Sequence, residues 1–361
     1  MPAPLNILTW HVHGNYLYYL TQVPHHFWIV TKPGNPPGYA HPGTGFPWGP
    51  NVHAIPYDEV KDHDFDCVLF QSRGPYEADV TAMLSPAQRE LPRVYIEHDP
   101  PQGHPTDTRH WFQEPNGTLV HVTAFNALMW DSGETPTRVI EHGVLPAEGV
   151  VYGGDTERGI VVVNHLVQRG RRLGADVFEQ VRQRVPLDLI GMDAERAGGI
   201  GEVTNMQVQP FVAQYRFFFN PIRYTSLGLA VIEAMMAGVP VIGLATTEMT
   251  TLIKNEVTGY VDTRVDRLVD VMQTLLRNRE LAREWGEAGR LEALRRFGIQ
   301  RFVRDWMTLF AEVTQSSPSF SAARPSSLPW SLHHERKGQP AGAGDWGCRI
   351  SGIALVHPAG G

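Results

Sequence analysis

Residues 224–243, YTSLGLAVIEAMMAGVPVIG, decide the fold. From Leu227 to Ala237 the helical pattern is apolar on every side, and Glu233 is its only charge. A helix of that kind is buried all round, and a carboxylate within it costs free energy unless something pairs with it. Glu233 follows Ser226 by close to two turns, so it shares a helix face with Ser226 and Leu229. Helical side chains lean toward the N-terminus, which aims this carboxylate at the loop Thr225–Gly228. That loop opens a helix, where free amides and the positive dipole end favour an anion such as phosphate. Phosphate at the amides and sugar hydroxyls at the carboxylate are what a nucleotide supplies. A structural Glu233, bonded to amides of a neighbouring loop, is the alternative that these facts leave open.

Working outward, short apolar runs read as strands at 159–164 (GIVVVN), 187–190, 216–219, 239–243 and 258–262, alternating with helices. One of these helices, beginning near 171, carries Leu173, Val177, Val181 and Val185 at i+4 spacing. The first half repeats the theme with strands at 5–10, 27–31, 65–70 and 93–97, and a helix over 76–91 that Pro86 should kink or interrupt. Strand–helix alternation implies parallel sheets covered on both faces. A turn-rich stretch at 143–158 separates the halves, and 32–50 is a long loop dense in proline and glycine. Residues 265–314 are helical in pattern, whereas 316–361, with 8 Ser, 7 Gly and 5 Pro, is expected to be a disordered tail.

The 361 residues suit two domains. A net charge of −7 speaks against nucleic acid as a partner, and 42% apolar residues exclude wholesale disorder. Two cysteines, Cys67 and Cys348, make no disulfide framework. With neither a signal-peptide pattern nor a membrane-length apolar run, a cytoplasmic location is expected.

A second anion signal is NHLVQRGRR at 164–172, where Arg169, Arg171 and Arg172 crowd the expected helix start and the dipole disfavours cations. An anionic ligand would reverse that penalty, although such runs are also common on solvated surfaces. His165 sits at the end of the preceding strand, where open α/β sheets bind ligands.

The segment SLGLAVIEAMMAGVPVIG, followed by EVTGYVD, resembles the C-terminal half of retaining family-4 glycosyltransferases (glycosyltransferase group 1) with the GT-B fold. The match rests on Gly228, Leu229, Glu233, Ala234, Met235, Gly238, Pro240 and Val241, and the helical end after Asp266 is also similar. The resemblance implies an α/β GT-B architecture of two Rossmann-like domains facing a central cleft. An acceptor-side domain would span 1–150 and a nucleotide-sugar domain 151–298, with a helix at 299–315 returning toward the first. Glu233 would hold the donor ribose, and His165 and Arg169 fall where the family grips the diphosphate. The donor would lie against Thr225, Ser226, Leu227, Gly228, Leu229 and Thr247. The family's first acid falls on Thr225, which cannot carry charge, and Glu248 is the neighbouring carboxylate expected to replace it in catalysis.

In the N-terminal half, His13, Gly14 and Asn15 occupy the family's glycine loop after the first strand. His98 and Asp99 follow a later strand, where family members carry a histidine facing the sugar; local capping is the other reading. His11 and His13 lack a third ligand at useful spacing, so no metal and no cofactor are expected. Trp10, Tyr16, Tyr18 and Tyr19 read as an acceptor platform or as core, and AGGIG at 197–201 as a flexible loop. The expected activity is transfer from a nucleotide diphosphate sugar to a saccharide, lipid-linked or small-molecule acceptor, with retention. Peripheral membrane contact and the oligomeric state stay open. The rival readings are a nucleotide-sugar epimerase or hydrolase, and a catalytically weakened nucleotide-binding partner subunit.

Overall fold

The computed structural model describes residues 3–43 and 45–315; the tail expected to be disordered lies outside them. The first half runs β1 (Asn6–Trp10), α1 (Gly14–Leu20), β2 (His26–Thr31), β3 (Val52–Pro56), β4 (Cys67–Phe70), α2 (Arg73–Ala82), α3 (Pro86–Arg89), β5 (Arg93–Glu97), β6 (Thr118–His121), α4 (Ala124–Met129) and β7 (Thr137–Val139). Its seven strands are all parallel, in the order β3-β2-β1-β4-β5-β6-β7. The central strands read as unbroken apolar runs because helices cover both faces; every residue of β4 is buried.

The second half runs β8 (Thr156–Val162), α5 (Leu166–Arg169), α6 (Ala175–Arg182), β9 (Leu187–Ile190), α7 (Asn205–Val212), β10 (Tyr215–Asn220), α8 (Leu229–Met236), β11 (Val241–Leu244), α9 (Met249–Leu252), β12 (Gly259–Asp262), α10 (Val265–Arg277), α11 (Arg279–Phe297) and α12 (Ile299–Gln315). Its parallel sheet has the order β12-β11-β10-β8-β9. Both orders are doubly wound, with a reversal between β1 and β4 in one sheet and between β8 and β10 in the other.

One expectation about helices is met and one changes. The helix expected over 76–91 divides, because Ser85 caps α3 in a reciprocal box with Gln88 (Oγ from Gln88 N at 3.3 Å, Gln88 Oε1 from Ser85 N at 3.0 Å). Pro86 then takes the first helical position, where its missing amide costs nothing. The helix expected from about 171 starts at Ala175 instead, after Gly174 at φ 82°. A Cβ on Gly174 would come within 2.0 Å of the Pro221 carbonyl oxygen, so glycine lets this turn press against the end of β10. Arg169 therefore ends a one-turn helix, where the dipole favours a cation.

The chain crosses between the halves twice, side by side. Val144, in the linker after β7, donates its amide to Phe297 O at 2.9 Å where α11 gives way to α12. Arg301 holds the linker carbonyls of Glu141 and His142. Gly143 has no room for a side chain, since a Cβ would lie 2.3 Å from that of Phe302. From there α12 lies on the first half: the Phe302 ring meets Tyr16 at 5.7 Å and Phe310 meets His25 at 5.6 Å, both edge-on. Phe302, Trp306 and Phe310 are fully buried.

Candidate functional site

The loops leaving the two reversal points face each other. His11–His13 and Gln71 come from the ends of β1 and β4, and Asn164 and Thr225–Gly228 from the loops after β8 and β10. A polar seam joins the walls: Ser226 Oγ donates to His98 O at 2.6 Å and Thr225 Oγ1 to Asp99 Oδ1 at 3.4 Å. His142 Nε2 donates to Leu227 O at 3.0 Å, and Thr247 Oγ1 to Ser226 O at 3.3 Å. Beside the seam lies a cavity of about 930 Å³. Of the residues expected at the site, His13, Gly14, Asn15, His98, Gly228, Leu229 and Glu233 line it. Thr225, Ser226, Leu227 and Thr247 form the seam instead.

Glu233 is 3% exposed. Its Oε1 accepts from Asn15 Nδ2 and from Tyr19 OH, each at 2.9 Å, both on α1 across the cleft. Burial pushes its carboxyl up from the ordinary range, and these two donors pull partly against that. Oε2 has no hydrogen-bond partner among the described residues, in a side chain that lines the cavity. The first turn of α8, with its free amides, borders the same space at Gly228–Ala230. This combination can hold a vicinal diol and an anion side by side.

The opposite wall is imidazole. His13 adopts a left-handed conformation (φ 50°), and its ring lies 4.0 Å from that of His98. His98 Nε2 meets Gln71 Oε1 at 3.2 Å, and the edge of Tyr16 closes on it at 4.7 Å. Burial holds His98 well below the ordinary histidine range and lowers His13 and His142, the last to about 4. Neutral imidazoles can accept or donate single hydrogen bonds to sugar hydroxyls without repelling a cation nearby. Beneath His98, Glu97 Oε1 accepts the Asp99 amide at 2.8 Å and Glu97 Oε2 faces His110 Nε2 at 2.9 Å, fixing the loop that carries both candidate residues.

Arg169 is half-buried; its amide donates to His165 O at 2.9 Å, while its guanidinium has no hydrogen-bond or ion-pair partner among the described residues. Burial and the neighbouring Arg172 disfavour its charge, while Asp99 favours it; Arg169 itself does not line the cavity. Arg171 is taken out of play by Asp176 at 2.5 Å, and Asp176 is also gripped by both arms of Arg223. His165, also left-handed at φ 54°, faces Asp193 at 3.9 Å and does not line the cavity.

Glu248 does not reach the cavity. It is 3% exposed, and its carboxylate already accepts from three donors: Arg296 Nη2 at 2.7 Å, Thr251 Oγ1 at 2.5 Å, and the Phe125 amide of α4 at 3.3 Å. Arg296 also grips Glu141 in the linker. The expected replacement for the missing acid at Thr225 is thus a bracing ion pair between the halves, because its carboxylate is buried against Arg296, Thr251 and α4 and does not line the cavity. Of the aromatic residues offered as an acceptor platform, Trp10, Tyr18 and Tyr19 are core, Tyr19 reaching the site through its hydroxyl, while Tyr16, also buried, edges the cavity beside His98. Nor is 197–201 a free loop, since Ile200 N bonds Leu189 O at 2.8 Å and Gly201 bridges to Ile190.

Gln71, His142, Asn164 and Glu202 complete the site and were not singled out for it from sequence, since a single polar residue at a strand end or in a loop carries no pattern of its own; Tyr19 was noted, but as an aromatic and not for its hydroxyl. Among the described residues no group of three or more His, Cys, Asp or Glu is placed to hold a metal ion. No helix among them is long and apolar enough to cross a membrane.

Residues 198–292 match the family model of the glycosyl transferases group 1. No curated protein matches the sequence. Among solved structures, a glycosyltransferase from Rickettsia africae superposes with a TM-score of 0.62 at 13% identity, covering 88% of this chain and 100% of that one. A sucrose-phosphate synthase from Thermosynechococcus elongatus gives 0.61 at 14%, with 88% and 100% covered. HepE of Anabaena in complex with UDP-glucose gives 0.59 at 13%, with 85% and 100% covered. TarM gives 0.53 at 16%, covering 68% of this chain, which spans only 54% of TarM's length. At these identities the likeness is one of fold, and that fold is GT-B. Together with the matched segment it supports a glycosyltransferase.

Proposed function

We propose that this chain transfers a sugar from a nucleoside diphosphate sugar to an acceptor hydroxyl, with retention of anomeric configuration and without a divalent ion. The observation that carries the reading is Glu233: a buried carboxylate with two donors on one oxygen and the other free, in a side chain that lines a cavity beside a helix start. In this reading Oε2 takes the ribose hydroxyls, and the α8 amides with Arg169 take the diphosphate. Fixed positive groups then stabilise the departing diphosphate as its charge grows, the work that a metal ion does elsewhere. The neutral His98 orients the sugar, and the acceptor enters from the side of His13–Asn15. UDP and UDP-glucose bound by HepE, a protein of the same fold, are consistent with such a donor. Retention rests on the resemblance of the Glu233 segment to the retaining family.

A specific observation favours a second reading, a nucleotide-binding partner subunit with weakened catalysis. Thr225 stands where the family has an acid, and Glu248 is committed to Arg296. Thermal unfolding in the presence of nucleoside diphosphates and their sugars, with EDTA, tests the main reading. A raised Tm and slow donor hydrolysis are the expected results. Binding without any turnover transfers the chain to the second reading, and no shift with any nucleotide removes both.

A further inference from the structure

Beyond Glu233 the cavity continues to the carboxyl ends of β8 and β9. Val162, Ile190 and Val208 give that end apolar surface, suited to the faces of a flat ring. Two polar side chains interrupt it. Asn164 Oδ1 accepts the Met192 amide at 2.9 Å, which leaves its Nδ2 group to donate elsewhere. Glu202 directly follows the Gly201–Ile190 bridge, is exposed, and makes no hydrogen bond or ion pair among the described residues.

A nucleoside diphosphate has its ribose between base and phosphates. With phosphate at Arg169 and ribose at Glu233, the base falls to this end of the cavity. We propose that it selects guanine over uracil, with Glu202 as the residue that reads the base; this rests on the nucleotide-sugar reading above. An ionised carboxylate offers two acceptor oxygens and no donor. Guanine alone among the common bases presents two adjacent donors, N1–H and the 2-amino group, spaced to meet both oxygens. Uracil offers one N3–H flanked by two carbonyl oxygens, and these would face the negative charge. Adenine and cytosine set their amino group beside a ring nitrogen that accepts, so one carboxylate oxygen would meet a lone pair. The Asn164 amide supplies the donor that guanine O6 requires.

Calorimetric titration of the full chain with GDP, IDP and UDP tests the assignment, IDP differing from GDP only by the 2-amino group. GDP is expected to bind roughly tenfold to a hundredfold more tightly than UDP, the range for a hydrogen bond to a charged group. IDP is expected to fall below GDP. Glu202→Gln, at an exposed position, is expected to keep the fold and erase the advantage of GDP over IDP. UDP binding as tightly as GDP, or a GDP-over-IDP preference that survives Glu202→Gln, overturns the guanine assignment and leaves the nucleotide-sugar reading standing. Failure of all three to bind overturns the guanine assignment, and the nucleotide-sugar reading then rests on the thermal-unfolding test with the other nucleotides.

Discussion

A buried carboxylate with one free oxygen either takes a proton or meets a ligand, and Glu233→Gln separates these roles. The amide keeps an acceptor for Asn15 and Tyr19, so far-UV circular dichroism should not change. Affinity for a nucleoside diphosphate should fall roughly tenfold or more, the cost of trading a charged for a neutral hydrogen bond. Arg169→Ala should lower affinity for the diphosphate far more than for the nucleoside, as titration with both will show; equal losses would refute its role. Glu248→Gln should do the reverse of a catalytic lesion. Nucleotide affinity should hold while urea unfolding loses about 3 kcal/mol, because Arg296 is left buried with one fewer carboxylate. Glu233 was legible in sequence because a lone charge in an all-apolar helix leaves few explanations. Glu248 was not, since loop register gives a residue's place but not its direction, and its partner Arg296 lies on α11, far along the chain.

At the scale of elements, β4 and β10 could be read from sequence because full burial leaves apolar runs (CVLF, FFF), whereas only the buried end of β8, from Ile160, carries that signal. The edge strand β7 (TRV) is exposed at every position and carries no such signal. Helix α1 escaped notice because Gly14 and Asn15, both poor helix formers, open it, and its remaining residues read equally as an aromatic stripe. The split at Ser85 was half legible: proline marked the break, while the capping box that makes it a new start needed Gln88 as well. Helix α12 shows its apolar face plainly, and the structure says what that face covers. Phe302→Ala should cost about 3–5 kcal/mol by chemical denaturation, since it opens a void against Tyr16 and Gly143 together. A loss below about 1 kcal/mol, the scale of an ordinary surface change, would mean that α12 is not integral to the first half.

For the whole molecule, pH is the sensitive variable. His142 and His121 are each held at about 4, and His110 at about 3, chiefly by burial. Their ordinary value is 6.5, so as pH falls below it the unfolded chain takes up protons that the folded one refuses. Stability is therefore full above pH 6.5 and declines toward pH 4, by about 2 kcal/mol at pH 5 for His142 alone. Glu97, pushed up to about 8, acts in the opposite sense: its contribution is complete below 4.5 and is lost as pH rises through 8. Glu233, also pushed up by burial, acts like Glu97, yet five imidazoles lowered by burial (His13, His98, His110, His121 and His142) outnumber these two carboxylates, so scanning calorimetry should show Tm falling below pH 6.5. His142→Gln should flatten that slope. The paired crossing at Val144 and Phe297 also has a consequence in time. The surface of the first half around Tyr16 and His25 is packed on by α12, which leaves the ribosome after the entire second sheet. At ~5–20 residues per second, that apolar face waits roughly 10–30 s for its cover, so the half made first is the half finished last.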